Sequence, residues 1–497
     1  MLKRLLLGAL LLVLALAAAV AVNTLRLGSR QRAVQPLPPL AVDSDGAAQS
    51  LAAAVRARTV SGLGNPEATA LEFDKLHAHL AQRYPRVHTT LQREVIGRHT
   101  LVFTWPGSDA QARPIAIMAH QDVVPIAPGT EGLWKQPPFD GKVDGGFVWG
   151  RGAWDNKGNL VAQLEAAEAL LKAGFQPRRT LVFVFGHDEE VGGALGAVKV
   201  VEAFRQRGVR FEAVLDEGLV VTEGILPGIS APAALVGVAE KGSVTLKLVA
   251  EAAPGHSSMP PGPGQGAIGR LARALAKVDA NPLPGGVTGV AAEMFRTLAP
   301  EMSGFNRVAL SNLWLFAPVI EPMLAKGAST NALLRSTTAL TIAQAGNKEN
   351  VLPGRADGVV NFRILPGDSA EGIKAAVTKI VDDPQVKIDF LGQPFEPSRV
   401  SSAEAPMYRA IEQAVREVFP GAIVAPGLML AATDGRSFEP VADNVYRFTP
   451  IRARSEDLNR FHGTDERVSI SNLAEMIRFY HRLLQLVAGP ATEGKQP

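Results

Sequence analysis

TLVFVFGHDEE, residues 180–190, is an unbroken apolar run that ends in the ionisable group His187, Asp188, Glu189 and Glu190. Strands buried on both faces read this way, with no polar alternate, and they belong to parallel sheets covered by helices. PIAIMAHQD (114–122) and FEAVLDEG (211–218) repeat the arrangement, ending in His120 and Asp122 and in Asp216. In open parallel sheets ligands bind beyond the carboxyl ends of the strands, so these side chains are expected to converge on one rim. From about Asp45 to Glu240 such runs alternate with helical patterns. The fold class expected is therefore α/β, a catalytic domain with a mostly parallel sheet.

Working outward, the period changes at Lys241. Val244, Leu246 and Leu248 alternate with Ser243, Thr245 and Lys247, which predicts a strand with one wet face and the start of a different unit. Helical stretches at 266–278 and 369–381, with strands at 338–343, 358–364 and 386–391, predict an inserted α+β lid and dimerisation domain over 241–397. The catalytic domain, begun at 45–240, is expected to resume over 398–490 and close with a helix at about 469–486.

At the N-terminus Lys3 and Arg4 precede an uncharged run, Leu5–Val22, and Arg26, Arg30 and Arg32 follow it. Residues 1–34 read as a signal peptide or signal anchor, so the protein is expected to be exported, periplasmic or extracellular. The run exceeds a signal-peptide core of about 7–15 residues and just reaches the roughly 18 of a spanning helix. Ala19-Val20-Ala21 offers a small-x-small cleavage site, so cleavage and retention as a membrane tether both stay open. A stiff proline-rich linker over 35–44 follows.

Composition narrows the chemistry. The 497 residues are 46% apolar and 20% charged, with a net charge of +3, which excludes a disordered chain and leaves no footprint for nucleic acid. With no cysteine, any transition metal must be held by histidine and carboxylates.

In an extended backbone His120 and Asp122 point the same way, so one can ligate a metal while the other supports it. A capped strand-end histidine is the plainer alternative. Asp155 lies in the glycine-rich loop WGRGAWDNKG (149–158), as a helix N-cap or as a carboxylate shared by two metals. Glu189 and Glu190 could complement a helix dipole. As neighbours in a non-helical segment they would instead point apart, Glu190 toward metal and Glu189 toward the reacting water. Asp216 and His462, in FHGT (461–464), complete a set of His, Asp, Glu, Asp and His. That set suffices for two zinc ions that leave positions open for water and substrate, with Glu189 shuttling a proton to a leaving nitrogen.

These motifs, in this order, resemble the family of dinuclear zinc peptidases that includes glutamate carboxypeptidase, aminoacylase, carnosinase, succinyl-diaminopimelate desuccinylase and yeast vacuolar carboxypeptidase. The resemblance covers nearly everything after the linker. It implies an enzyme with two Zn2+ per chain: His120 and Asp216 on one, Glu190 and His462 on the other, Asp155 bridging, Asp122 supporting and Glu189 as general base. It implies a homodimer, in which PGHSS (254–258) matches the segment whose histidine, here His256, reaches the partner's site. Asn350 in NVLP (350–353), Arg363 in NFR (361–363) and Thr433 in ATDGR (432–436) match substrate-contacting positions, with Arg363 gripping a carboxylate.

Segments 186–190, 240–243 and 310–346 look most like secreted animal enzymes that make and break N-fatty-acyl amino acids, and vacuolar carboxypeptidases share much of the pattern. The resemblance thus implies hydrolysis of the amide bond of N-acyl amino acids or of ordinary small peptides. A non-catalytic binding module on the same fold is the remaining reading, and the full ligand set argues against it. LWLFAPVI (313–320) would line a channel for an acyl tail or form lid core.

Overall fold

A computed structural model describes residues 1–497 except 36, 37, 39, 63–68 and 490–497. Pro36, Leu37 and Pro39 of the expected linker, and residue 490 of the last expected segment, therefore lie outside the described residues.

The strands of the two main sheets are β1 (Gln92–Ile96), β2 (Thr100–Trp105), β3 (Ile115–His120), β4 (Leu181–Gly186), β5 (Phe211–Thr222), β6 (Ala233–Glu240), β7 (Gly242–Glu251), β8 (Thr337–Ala345), β9 (Arg355–Ile364), β10 (Val386–Phe390), β11 (Ile423–Met429) and β12 (Ala442–Ala453). The helices used below are α1 (Leu2–Arg26), α2 (Lys157–Lys172), α3 (Ala197–Gln206), α4 (Ala267–Ala280), α5 (Gly289–Leu298), α6 (Gly304–Ser311), α7 (Leu313–Leu324), α8 (Ala370–Val381) and α9 (Ile470–Ala488).

An eight-stranded sheet runs β1-β2-β4-β3-β5-β12-β6-β11. Its centre is parallel: β3 pairs with β4 and with β5, and β5 with β12. Every residue of β3 and β4 is buried, as their unbroken apolar runs require. Ile115, Ile117, Leu181 and Phe183 enter the core shared with α2 and α9, while Ala116, Met118, Val182 and Val184 pack toward α3. Register aligns His120 with Gly186, so both strands end level at one rim. β5 continues past the expected end at Asp216. Between Asp216 and Leu219 its register with β12 slips, leaving Glu217 and Gly218 in a bulge.

The second sheet is antiparallel, β8-β9-β7-β10, with Val244, Leu246, Leu248 and Ala250 facing α4 and α8 in a separate core. The middle of the inserted stretch behaves differently. In α5, Met294, Phe295 and Leu298 pack on Ile423 and Ala425 of β11, so this part covers the edge of the first sheet. LWLFAPVI becomes most of α7, in which, among the described residues, Ile320 is the one buried side chain. At the N-terminus α1 is long and apolar enough to cross a membrane, with mean hydropathy 3.0; its apolar stretch is unburied, while Asn23 and Thr24 at its end are hydrogen-bonded to Ser311 and Asn312. Beyond it Gln31 accepts from Val424 N (2.7 Å) and donates to Val424 O (2.9 Å), which closes the β11 edge with a side-chain amide.

Candidate metal centre

His120 sits at the end of β3, 2% exposed. Its Nδ1 meets Asp122 twice, the carbonyl oxygen at 3.0 Å and the carboxylate at 3.3 Å. Its Nε2 faces Asp155 Oδ1 at 3.0 Å. Asp122 also accepts from Ser61 Oγ and from the backbone N–H groups of Glu189 (3.3 Å) and Glu190 (3.1 Å). One carboxylate thus orients the imidazole and ties the β3 rim to the acidic loop after β4, the arrangement that fixes a ligating histidine's tautomer.

Asp155 lies between two imidazoles: its Oδ1 faces His120 and its Oδ2 faces His462 Nε2 at 2.8 Å. The same His462 nitrogen lies 3.3 Å from Glu190 Oε2. Asp155 is held there by a residue the sequence did not single out. Buried Glu466 accepts from the backbone N–H groups of Gly152, Trp154 and Asp155 (2.9, 2.9 and 3.0 Å) and from Arg151 at 2.7 Å. Arg151 in turn donates to the carbonyls of His462 and Gly463, so the loops carrying Asp155 and His462 share one anchor.

Asp216, expected as a ligand, and its neighbour Glu217 are placed differently at the rim. Asp216 accepts from Glu217 N (2.8 Å) and Gly435 N (2.5 Å), which occupies its carboxylate with backbone. Glu217 Oε1 instead lies 3.2 Å from His120 Nε2. The bulge is the physical reason: it breaks the strict alternation along β5 and re-aims the second residue of the Asp-Glu pair into the rim. Two clusters able to hold a metal result, His120 with Asp155 and Glu190, and His120 with Glu189 and Glu217.

The electrostatics of this rim suit a bound cation. Burial pushes Glu217 up to about 8, and the Asp155 charge adds to the shift against the pull of His120. Burial also raises Glu190 and carries Glu189 well above the usual carboxylate range, with Glu217, Asp434 and Glu190 adding repulsion to Glu189. Burial would likewise raise Asp155, but hydrogen bonds from His120 and His462 hold it low. Hydrogen bonds to Asp155 and Glu190 raise His462 to about 10. Glu190 Oε1 and Asp434 Oδ2 are buried without a hydrogen-bond partner among the described residues. Surplus carboxylates around two imidazoles, with unpartnered oxygens on Glu190 and Asp434, form a donor set that fits divalent metal.

The lid residues lie apart from this cluster in their recorded contacts. His256 is exposed, its Nδ1 bonded to Ser258, in a short pairing of 255–256 with 351–352 beside exposed Asn350. Arg363 is exposed on β9 between Ser243 and Thr337. Thr433 is buried and donates to Glu240 Oε2 at 3.1 Å, beside the buried Glu240–Arg447 ion pair.

The description Peptidase family M20/M25/M40 matches residues 116–486. Probable carboxypeptidase S-like 2 of Dictyostelium discoideum is 39% identical over 473 residues, covering 93% of this chain and 90% of the relative. N-fatty-acyl-amino acid synthase/hydrolase PM20D1.1 of Danio rerio is 40% identical over 420 residues, covering 83% and 80%. The M20 family metallo-carboxypeptidase Sso-CP2 of Sulfolobus solfataricus shares the fold, with a TM-score of 0.62 at 17% identity over 89% of this chain and 99% of that one. A chain whose rim gathers histidines and carboxylates, and whose whole folded length aligns with such relatives, is a member of peptidase family M20/M25/M40 and an enzyme of its metallohydrolase type.

Proposed function

We propose that the protein hydrolyses the amide bond of N-acyl amino acids, fatty-acyl derivatives included, at a site holding two zinc ions. The observation that carries this reading is Asp155 placed between His120 and His462, one carboxylate oxygen to each. Around it His120 and Glu217 would hold one ion and His462 and Glu190 the other, with Asp155 common to both. Divalent ions in such a site supply Lewis acidity and an acidified water.

The chain's own groups do the rest. Asp122 keeps His120 Nδ1 engaged so that Nε2 faces the rim. Glu189, close to His120 and Glu217, takes the proton from the attacking water and delivers it to the departing amide nitrogen. Its raised proton affinity suits the second half of that task, since a carboxyl that keeps a proton can also give it up to an amine. Arg363 would bind the substrate's free carboxylate, and His256 would reach the site of a second subunit in a homodimer. We also read α1 as a retained anchor of an exported protein, because the chain just beyond it is bonded to β11.

Metal uptake should depend on pH in a direction the rim dictates. At pH 7 Glu217, at about 8, and His462, at about 10, hold protons that a metal must displace. Zinc titration of metal-free protein is therefore expected to release protons, read from calorimetric heats in buffers of different ionisation enthalpy, and affinity should rise with pH through that range. Glu217→Gln should weaken zinc binding and reduce proton release, whereas Asp216→Asn should keep the zinc count. The reverse pattern would restore Asp216 as the ligand.

The substrate class is tested by kcat/KM for acetyl, octanoyl and oleoyl derivatives of one amino acid, below the critical micelle concentration. Burial of each added methylene contributes up to about 0.8 kcal/mol, so a rising series is expected until the acyl site is full. A flat series beside brisk cleavage of unmodified dipeptides would assign the enzyme to ordinary peptides.

A further inference from the structure

We propose that α6 and α7 form a second membrane contact, seated in the interfacial layer of the bilayer that α1 spans. This rests on the reading of α1 as a retained anchor.

The first observation is a patch without polar cover. Phe305 on α6 and Trp314, Val319 and Met323 on α7 are 57%, 61%, 53% and 58% exposed. Residues 304–324 contain just two charged side chains, Arg307 and Glu321. Glu321 is turned inward, its Oε1 accepting from Val287 N at 2.8 Å. A lid surface exposed only to water gains nothing from an apolar helix with its tryptophan outward.

The second observation fixes the depth of the patch. Asn312, fully buried, joins α6 to α7 and donates to Thr24 Oγ1 at 2.9 Å. Asn23 returns bonds to Ser311 O at 2.8 Å and Asn312 Oδ1 at 3.1 Å. These contacts fall within one helical turn of Val22, where the apolar run ends. At a rise of about 1.5 Å per residue, Leu5–Val22 spans roughly 27 Å, close to the hydrocarbon thickness of about 30 Å. The α6–α7 junction is thereby pinned where hydrocarbon gives way to headgroups. That zone favours tryptophan and helices lying in the membrane plane with an apolar face inward. Arg26 and Arg30 follow on the aqueous side.

The absence of native cysteine makes the test clean. Full-length protein carrying single cysteines at Val319→Cys or Met323→Cys is spin-labelled and reconstituted into vesicles of phosphatidylcholine and phosphatidylglycerol. Leu71→Cys, at a position 74% exposed on the catalytic domain, serves as the reference in water. Expected is a several-fold higher ratio of oxygen to nickel-chelate collisions at 319 and 323 than at 71. A ratio equal to that at 71, while the protein floats with the vesicles, would overturn the patch and leave the anchor standing. Low collision rates with both reagents that depend on protein concentration would assign the patch to self-association instead. Protein that fails to float with vesicles would overturn both the anchor and the patch.

Discussion

Glu189→Gln is expected to lower kcat by about 10²–10⁴-fold while the proposed pair of metal ions stays bound. The substitution removes the proposed proton carrier but keeps the side-chain shape. It touches none of the closest contacts of the rim, which run from His120 and His462 to Asp155, Glu190 and Glu217. Elemental analysis beside steady-state rates at saturating substrate separates the two effects. A near-normal kcat would remove Glu189 from the proton transfer. The same variant also tests the proposed homodimer. Glu189→Gln and His256→Ala subunits, each inactive, should recover part of the activity when exchanged, because one hybrid site combines both intact residues. Verified exchange without recovery would confine His256 to its own lid.

Asp155→Ala should lose metal and activity together. Among the described residues Asp155 is the one carboxylate hydrogen-bonded to both His120 and His462, so its loss separates the two halves of the rim rather than trimming one of them. Protein purified with chelated metal removed and zinc added back should then bind fewer than two ions per chain, with turnover at background. Retention of two ions would overturn the bridging assignment. The backbone around Asp155 is held independently by Glu466 and Arg151, so the fold is expected to survive and circular dichroism should be unchanged.

The fold was legible where burial alone determines the residue type. β3 and β4 are covered on both faces, and their apolar runs announce it. β7 was equally readable from its alternation, since one face meets α4 and α8 and the other stays half-wet. The rim was harder. His120, Asp155, Glu190 and His462 could be named because each stands at a strand end or in a glycine-rich turn. Asp216 and Glu217 could not be told apart, because a bulge that depends on pairing with β12 decides which of them faces His120. Glu466 left no local signal: its donors lie more than 300 positions earlier, and only the folded chain brings them together. The bond from Thr433 to Glu240 left no local signal for a related reason, since it joins segments far apart in sequence.

The placement of β12 has a consequence for the order of assembly. Residues 442–453 fill a slot between β5 and β6, and His462 and Glu466 follow directly. A nascent chain that stops short of residue 442 therefore has a gap within its main sheet, one imidazole missing from the rim and no carboxylate to gather the Asp155 loop. Pairings of such long sequence separation form late. If the chain is exported unfolded as proposed, this timing defers metal capture until translocation is nearly finished, so the active centre would mature on the far side.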